Sequence, residues 1–364
     1  MKFTIPFLLL FTAFTNNPLM AQNLIVGTYT NTGISQGIYL YRFDNTNAKT
    51  TQLSVEKATD PSYLAVSKDN RYIYGVNESD DGGVSAFTYN PKNGTLKLIN
   101  QQSNVGNAPC YISIDQTGKW LFTANYGDGS LTVYPVNADG SIGKLHQRIQ
   151  HEGSGINKDR QATPHVHCTY ISPDNNHLFV PDLGIDKVMI YPFDAQTGQL
   201  NTAKKSWISI KDGGGPRHII FTKKGTTAYL VEELTGFVNV IKKDGQHYQI
   251  IQTEKHLPTE ETAAGADIHL SPDEKFLYVS QRSNSTIEIY KVKKDGRLSF
   301  LTSRSTLGNF PRNFTIHPSG KYLLAANQKS NDITIFKRNI KTGLLTDTKE
   351  RITIGAPVCL QWIK

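Results

Sequence analysis

The sequence predicts an all-β fold, a seven-bladed β-propeller, and three observations carry this prediction. An apolar strand, a polar turn such as SPDE or HPSG and a second, aromatic-rich strand recur with a period of about 46–55 residues. The apolar runs are short and bounded by turn-forming residues, and no stretch shows sustained helical periodicity. Incomplete repeats at the two ends of the chain complement each other, which indicates a closed ring.

Six repeats are complete, and each is expected to form a blade of four strands. The second strand is followed by a third β-rich run, such as GVSAFTY or TIEIYKV, and then by a residue–glycine pair typical of a tight hairpin. The repeats begin at Pro61, Pro109, His165, Pro216, Ala266 and Pro311. The hairpins are predicted at Asn93-Gly94, Asp139-Gly140, Thr197-Gly198, Asp244-Gly245, Asp295-Gly296 and Thr342-Gly343.

The seventh blade is expected to combine the two ends of the chain. The C-terminal PVCLQWIK resembles only the opening strand of a repeat, whereas the N-terminal NLIVGTYTNTGISQGIYLYRFDN supplies later strands and lacks that opening. Pairing the last strand, innermost, with the N-terminal strands would close the ring and leave no open sheet edge between the ends.

The first residues have the character of a secretory signal peptide. MKFTIPFLLLFTAF places one Lys before an apolar run too short to span a bilayer, and LMAQ follows. We expect residues 1–21 to be removed by cleavage after Ala21, residues 22–364 to form a single propeller domain, and the protein to be exported, periplasmic or secreted. Gln22 stands where a lipoprotein needs Cys. A retained N-terminal anchor is the alternative.

Charge and motif content narrow the classes of partner. The net charge of +8 is spread along the chain without a basic run, which argues against a nucleic-acid arm and suits an anionic small molecule. Three cysteines, Cys110, Cys168 and Cys359, form no CxxC pair and are expected to be buried thiols. GxSxG, HExxH, P-loop and calcium-loop motifs are absent. We predict no metal, no cofactor, and a monomer or weak dimer.

Aligning the repeats predicts a polar cluster at one mouth of the central channel. Inner strands line the channel of a propeller, and the start of an inner strand lies beside the end of its antiparallel neighbour. The aligned inner-strand starts are Ser62, Cys110, His167, Arg217, Ala266, Arg312 and Val358, and the second-strand ends are Glu78, Tyr126, Leu183, Glu233, Arg282 and Gln328. His167, Arg217, Arg312, Glu233 and Arg282 should therefore meet at one mouth, as a candidate site.

Other polar residues near the predicted channel mouth are weaker candidates for the site. A row one residue earlier, Asn77, Asn125, Asp182, Glu232, Gln281 and Asn327, occurs in every full repeat and is expected to be mostly structural. His165 and His167 alternate along a strand, so one of them should face the channel, and the register favours His167. We list Arg312, His165, Asp182 and Glu78 as candidate substrate contacts. His218 and His269 are expected to pack within blades or to cap turns.

Several motifs resemble the lactonase family of seven-bladed propellers, which includes bacterial 6-phosphogluconolactonase and fungal carboxymuconate-lactonizing enzyme. They are GGGPRHIIF (213–221), LFVPDLGIDKVMIY (178–191), AYLVEEL (228–234), DIHLSPDEKFLYVSQR (267–282), PRNFTIHPSGKYLLAANQ (311–328) and PVCLQW (357–362). The resemblance covers essentially the whole mature chain. It implies a functional His, two Arg and a Glu, which correspond here to His167, Arg217, Arg282 and Glu233.

The resemblance implies metal-independent hydrolysis of a sugar lactone, as in 6-phosphogluconolactonase. Glu233 or His167 would act as general base and acid, and Arg217 and Arg282 would hold the oxyanion and an anionic substituent. Export favours an unphosphorylated sugar lactone or another external ester as the substrate. The alternatives are a cyclase or isomerase acting on an unsaturated dicarboxylate, and a binding propeller without chemistry.

Overall fold

A computed structural model describes residues 21–103, 106–245, 247–255 and 263–363. Seven antiparallel sheets, which we number as blades 1 to 7, surround a central channel, and their innermost strands contact one another in order around the ring. The prediction of a seven-bladed all-β propeller is confirmed. The predicted signal peptide lies, except for Ala21, outside the described residues. In the described ranges, no helix combines the length and the apolar character that a membrane crossing requires.

The strands of blades 1 to 3 come first along the chain. They are β1 (Ala21–Thr28), β2 (Gly37–Asp44), β3 (Thr50–Lys57), β4 (Leu64–Val66), β5 (Tyr72–Asn77), β6 (Gly83–Asn90), β7 (Thr95–Ser103), β8 (Pro109–Ile114), β9 (Trp120–Asn125), β10 (Ser130–Pro135) and β11 (Gln147–Gln150). Blade 4 contains β12 (Tyr170–Ile171), β13 (His177–Asp182), β14 (Lys187–Asp194), β15 (Gln199–Leu200) and β16 (Ser206–Ser209), with short 3-10 turns at Leu183–Ile185 and Thr202–Lys204.

Blades 5 to 7 are more regular. They comprise β17 (Pro216–Phe221), β18 (Thr227–Glu232), β19 (Val238–Asp244), β20 (His247–Glu254), β21 (Gly265–Leu270), β22 (Phe276–Gln281), β23 (Thr286–Val292), β24 (Leu298–Ser305), β25 (Pro311–Ile316), β26 (Tyr322–Asn327), β27 (Asp332–Arg338) and β28 (Leu345–Thr353). The last strand, β29 (Pro357–Ile363), joins blade 1 in the order β29-β1-β2-β3. The predicted ring closure is therefore confirmed.

The inner strands begin with a distorted backbone. The residue before the leading proline has a positive φ in five blades, namely Asp60, Ala108, Gly215, Phe310 and Ala356. Pairing with the second strand then shifts register in four blades, around Cys110, Arg217, Ala266 and Arg312. A bulge of this kind redirects a side chain. Bulges thus occur at the positions where the repeat alignment places Cys110, Arg217, Ala266 and Arg312 at the channel mouth.

The outer hairpins join neighbouring blades. All six predicted hairpin glycines have a positive φ, from 57° at Gly245 to 88° at Gly296. Gly140 of blade 3 packs on Tyr72 of blade 2, and its carbonyl accepts a hydrogen bond of 3.1 Å from the Tyr74 hydroxyl.

The three cysteines are buried and free, as predicted.

Replacing Gly140 with alanine is expected to destabilise the fold by about 2–3 kcal/mol. A Cβ there would lie 2.2 Å from the Tyr72 ring, in addition to the strain of an L-residue at positive φ. Gly245 occupies the same hairpin position in blade 5 but has open space around it, so Gly245→Ala should cost only about 1 kcal/mol. Urea unfolding of both variants measures the difference, and equal losses would contradict the packing argument.

Candidate functional site

A pocket of about 360 Å³ opens at the mouth where the inner strands begin. Its wall combines charged, aromatic and small residues from all seven blades and from the loop between blades 3 and 4. The lining residues are Tyr29, Glu78, Cys110, Tyr126, Arg160, His167, Glu233, Ala264, Arg282, Phe310 and Arg312. The structure therefore brings together five predicted residues, Glu78, His167, Glu233, Arg282 and Arg312. This volume suits a small polar ligand.

Glu233 is the centre of an ionic cluster. It follows β18 and is nearly fully buried. One carboxylate oxygen, Oε1, accepts a 2.6 Å bond from Arg160 Nη2, while Oε2 lies 2.8 Å from Arg217 Nε and 3.0 Å from Arg282 Nη2. Three guanidinium groups thus share one carboxylate. Arg282 also donates to the carbonyl of Gly265 at 3.2 Å.

Electrostatics keep this cluster ionised. Burial opposes the charge of Glu233, but Arg282 and Arg217 outweigh it and hold the pKa of this carboxyl well below its usual range. Burial lowers the pKa of Arg282 to about 10, although Glu233 partly offsets the effect. Both oxygens of this carboxylate already accept hydrogen bonds from guanidinium groups, so Glu233 is better suited to positioning those groups than to removing a proton.

His167 is a better candidate for a base. Burial, reinforced by Arg217 and His218, holds the pKa of its imidazole well below the usual value, so the ring is neutral at pH 7. Its contacts are long: Nε2 lies 3.8 Å from Glu233 Oε2 and Nδ1 lies 3.8 Å from Cys110 Sγ. A neutral imidazole on the wall of a pocket has the capacity to accept a proton from a bound molecule.

Arg312 has the weakest carboxylate contact of the guanidinium groups on the wall. Its Nη2 lies 4.0 Å from Glu78 Oε1, and the group lies 5.3 Å from the centre of the Tyr29 ring. Glu78 in turn accepts a 2.9 Å hydrogen bond from the Tyr29 hydroxyl. Arg312 is therefore free to form a strong bidentate contact with an anionic group of a ligand.

Arg217 does not line the open pocket. It is almost fully buried, and it extends beneath the pocket to Glu233, the carbonyl of Ala266 and His218. His218 Nε2 lies 3.3 Å from Arg217 Nη1, a donor, while His218 Nδ1 lies 2.9 Å from Asp267 Oδ1. These partners require a neutral His218 with the proton on Nδ1. His218 thus lies in the channel, which corrects the expectation that it packs within its blade or caps a turn.

The GGG segment is held by Asp186. The Asp186 carboxylate accepts 2.8 Å hydrogen bonds from the amides of Gly213 and Gly215. It also accepts a 2.7 Å bond from Gln161, which anchors the loop that carries Arg160. One buried carboxylate therefore connects the entry to β17 with the loop between blades 3 and 4.

Two residues that were predicted to contact the substrate, Asp182 and His165, do not line the pocket. Asp182 is completely buried, and its carboxylate is occupied by His151 Nδ1 at 2.7 Å and by the amides of His165 and Gly184. His165 stacks on the Tyr126 ring at 4.5 Å and bonds to the Tyr126 carbonyl. The structure thus places Asp182 in a structural role, like the rest of its row, and it is His167 that faces the channel.

Two other cavities of the described chain are larger than the mouth pocket. A cleft of about 920 Å³ lies where blades 1, 2 and 7 meet, and its charged wall residues include the mutually paired Arg71 and Asp69. In the part of the chain that the structure describes, no group of three or more His, Cys, Asp or Glu residues is placed to hold a metal ion. The mouth pocket instead brings an imidazole, three guanidinium groups and two carboxylates together at the channel mouth.

Comparison with known proteins agrees with this architecture. A family model described as Lactonase, 7-bladed beta-propeller matches residues 23–362. The chain belongs to this family. A protein of Formosa agariphila named 6-phosphogluconolactonase is 35% identical over 347 residues, covering 93% of this chain and 98% of the relative. A protein of Bacillus subtilis (strain 168) with the same name is 33% identical over 345 residues, covering 93% and 97%.

Solved structures show the same relationship to the lactonase family. The structure of the Pseudomonas aeruginosa periplasmic gluconolactonase, PpgL, superposes with a TM-score of 0.91 at 34% identity. The match covers 94% of this chain and 99% of that chain. The resemblance inferred from the sequence motifs is therefore confirmed at the level of the family.

Sequence reasoning missed several wall residues of this lactonase-family pocket. Arg160 lies in the loop between blades 3 and 4, which has no counterpart in the repeat, so no alignment of blades could find it. Tyr29 comes from the incomplete first blade, and Phe310, whose ring lies 5.2 Å from the Arg282 guanidinium, precedes a leading proline. The residue before the leading proline recurs in the repeat, and this recurring position is the feature of the sequence that could have predicted Phe310.

We expect Asp267→Asn to lower kcat of the lactonase-family enzyme about tenfold with KM little changed. The carboxylate accepts from His218 Nδ1 and His269 Nε2, and an amide would offer a donor to one of them. His218 would then move its proton to Nε2, facing an Arg217 donor. Ring ¹⁵N chemical shifts of His218 report this tautomer change. His269→Gln, which keeps a donor, is the control, and an unchanged tautomer in Asp267→Asn would refute the argument.

Proposed function

We propose that this protein is a lactonase that hydrolyses a sugar lactone in the mouth pocket without a metal ion. The observation that carries the proposal is a neutral, buried imidazole on the wall of a pocket rich in guanidinium groups. The names of the relatives, 6-phosphogluconolactonase and gluconolactonase, support the reaction class. The reaction needs a base, positive charge for the oxyanion and a proton for the leaving alkoxide.

The proposed mechanism assigns these tasks to residues of the pocket. His167 removes a proton from water, and the resulting hydroxide adds to the lactone carbonyl carbon. Arg282 stabilises the negative charge that develops on the carbonyl oxygen. The ring C–O bond then breaks, and the imidazolium returns its proton to the alkoxide. Glu233 acts as a positioning residue that holds Arg282 and Arg160, and Arg217 in turn positions Glu233.

The charge balance favours an anionic substrate. Three arginines on the wall, Arg160, Arg282 and Arg312, exceed the two carboxylates, Glu78 and Glu233. Arg312, with its weak partner, would bind a carboxylate, a phosphate or an electron-rich hydroxyl edge of the sugar. The relatives' names cover both a phosphorylated and an unphosphorylated lactone, so we propose a sugar lactone and test both forms.

We also propose export. The sequence of residues 1–21 has the pattern of a cleaved signal peptide, and the solved neighbour from Pseudomonas aeruginosa is described as periplasmic. N-terminal sequencing of protein recovered from the cell envelope fraction should begin at Gln22. A chain that begins at Met1 would favour the retained anchor.

The first experiment follows acid release from a panel of lactones in a pH-stat, with spontaneous hydrolysis subtracted. The panel includes glucono-lactone and its 6-phosphate, and each assay runs with and without EDTA. Arg312→Ala should raise KM for the phosphorylated lactone about tenfold or more while folding is retained. Lys329→Ala, which removes a cation at the rim that packs on Phe310, is the matched control for charge.

The outcomes separate the alternatives. Hydrolysis that EDTA does not affect supports the proposal. Loss of activity in EDTA would overturn metal independence. No hydrolysis of any lactone would leave the cyclase or isomerase, tested by product analysis on an unsaturated dicarboxylate, or a binding propeller.

A further inference from the structure

A second, smaller cavity adjoins the pocket on its channel side. Cys110, His167 and Arg312 line both spaces, and Ser62, Arg217 and Val358 are among the other walls of the smaller one. The centre of a water-sized sphere can move within about 10 Å³ of this cavity, so the cavity has room for a single water molecule. The shared walls place any molecule in this cavity next to a ligand in the pocket.

Ser62 gives this cavity a polar group without a partner. The residue is only 3% exposed, and its Oγ is buried. Across the described ranges of the chain, Ser62 carries the only buried side-chain hydroxyl with no hydrogen-bond partner. Leaving a buried hydroxyl unpaired costs about 1–3 kcal/mol, which a bound water would offset.

His167 provides the second partner. Both ring nitrogens have only long contacts, 3.8 Å to Cys110 Sγ and 3.8 Å to Glu233 Oε2. The neighbouring guanidinium of Arg217 adds donors to the same wall. A water in this cavity therefore has a hydroxyl, an imidazole and guanidinium groups around it, the two to four polar partners that a buried water requires.

We propose that this cavity binds the hydrolytic water, with Ser62 as its positioning residue. The assignment rests on the lactonase function proposed above. Ser62 Oγ holds the water against His167, which takes one of its protons, and the oxygen forms the new bond to the lactone carbonyl carbon in the pocket. The ring C–O bond breaks, and the proton passes from His167 to the alkoxide. The cavity then refills with water from the channel or the pocket.

Three substitutions test the role of the hydroxyl. Ser62→Val fills the water position with a methyl group and should lower kcat at least about 30-fold, with KM within about threefold, because Ser62 does not line the pocket. Ser62→Ala enlarges the cavity and should lower kcat less, about tenfold. Ser85→Ala removes a hydroxyl that is equally buried but bonded to Asn77 and Gln101. This control should leave kcat unchanged.

Two readouts distinguish water positioning from a packing effect. In 2 M methanol, Ser62→Ala should give a ratio of methyl ester to free acid at least about threefold above wild type, since the larger cavity admits methanol. A crystal structure of the wild type should contain a water within hydrogen-bond distance of Ser62 Oγ. A wild type that hydrolyses lactones together with Ser62→Val at wild-type kcat, or an empty cavity, would overturn this assignment alone. A wild type inactive on every lactone would overturn the proposed function as well.

Discussion

Replacing His167 with asparagine is expected to lower kcat for lactone hydrolysis by about 100-fold or more, the usual contribution of a general base. The side chain lines the pocket, and burial together with Arg217 holds the pKa of its imidazole well below the ordinary value. Asparagine keeps a polar group of similar size but cannot take a proton at neutral pH. Steady-state kinetics on the best lactone of the panel measures the loss.

The pH profile gives an independent check on His167. A group with a lowered pKa stays neutral as the pH falls through 6.5, so kcat/KM should stay within about twofold between pH 8 and pH 6. A wild-type profile that falls with a midpoint near 6.5 would contradict the assignment. His317→Asn is the matched control, because burial also lowers the pKa of His317, to about 4, but its ring packs against Trp362. This control should retain kcat.

Replacing Glu233 with glutamine should cause the largest loss of stability, about 3–5 kcal/mol in the free energy of unfolding. The substitution leaves Arg160, Arg217 and Arg282 without the charge that compensates them, and breaking a buried ionic cluster is strongly destabilising. Urea unfolding at pH 7 measures the effect. Activity should fall too, since Arg282 loses its orientation.

The adjacent glutamate is a close control. Glu232 is equally buried, but burial raises its pKa, and its partners are Asn239 and Thr235, with no guanidinium. Glu232→Gln should therefore cost at most about 1–2 kcal/mol. Equal losses in the two variants would contradict the ionic account of Glu233.

The stabilising effect of Glu233 should also depend on pH with a defined sign. Its pKa in the folded state lies below the unfolded value of about 4.3, so its contribution is complete above that value and is lost as the pH falls further. The difference in unfolding free energy between wild type and Glu233→Gln should be constant from pH 8 to about 5 and should decrease below about 4. A difference that grows on acidification would refute this account.

The sequence alone determined the architecture. The repeats define seven units, the two incomplete ends require each other, and the residue–glycine pairs locate the outer hairpins, because each of these signals depends on local periodicity and turn chemistry. Alignment of the repeats also placed His167, Glu233, Arg282, Arg312 and Glu78 at one mouth. A propeller converts the position of a residue within a repeat into its height along the channel, so register predicts which side chains meet.

Only the tertiary structure decided how these side chains are used. Arg160 reaches Glu233 from a loop that has no counterpart in the repeat, and a bulge takes Arg217 beneath the pocket to His218. Asp182 stands at a repeat position whose equivalents in the other blades are structural, and its carboxylate is hydrogen-bonded to His151. The physical reason is that register determines position, whereas the role of a polar group depends on its bonding partners. Those partners come from other blades and from loops, and they meet only when the ring is closed.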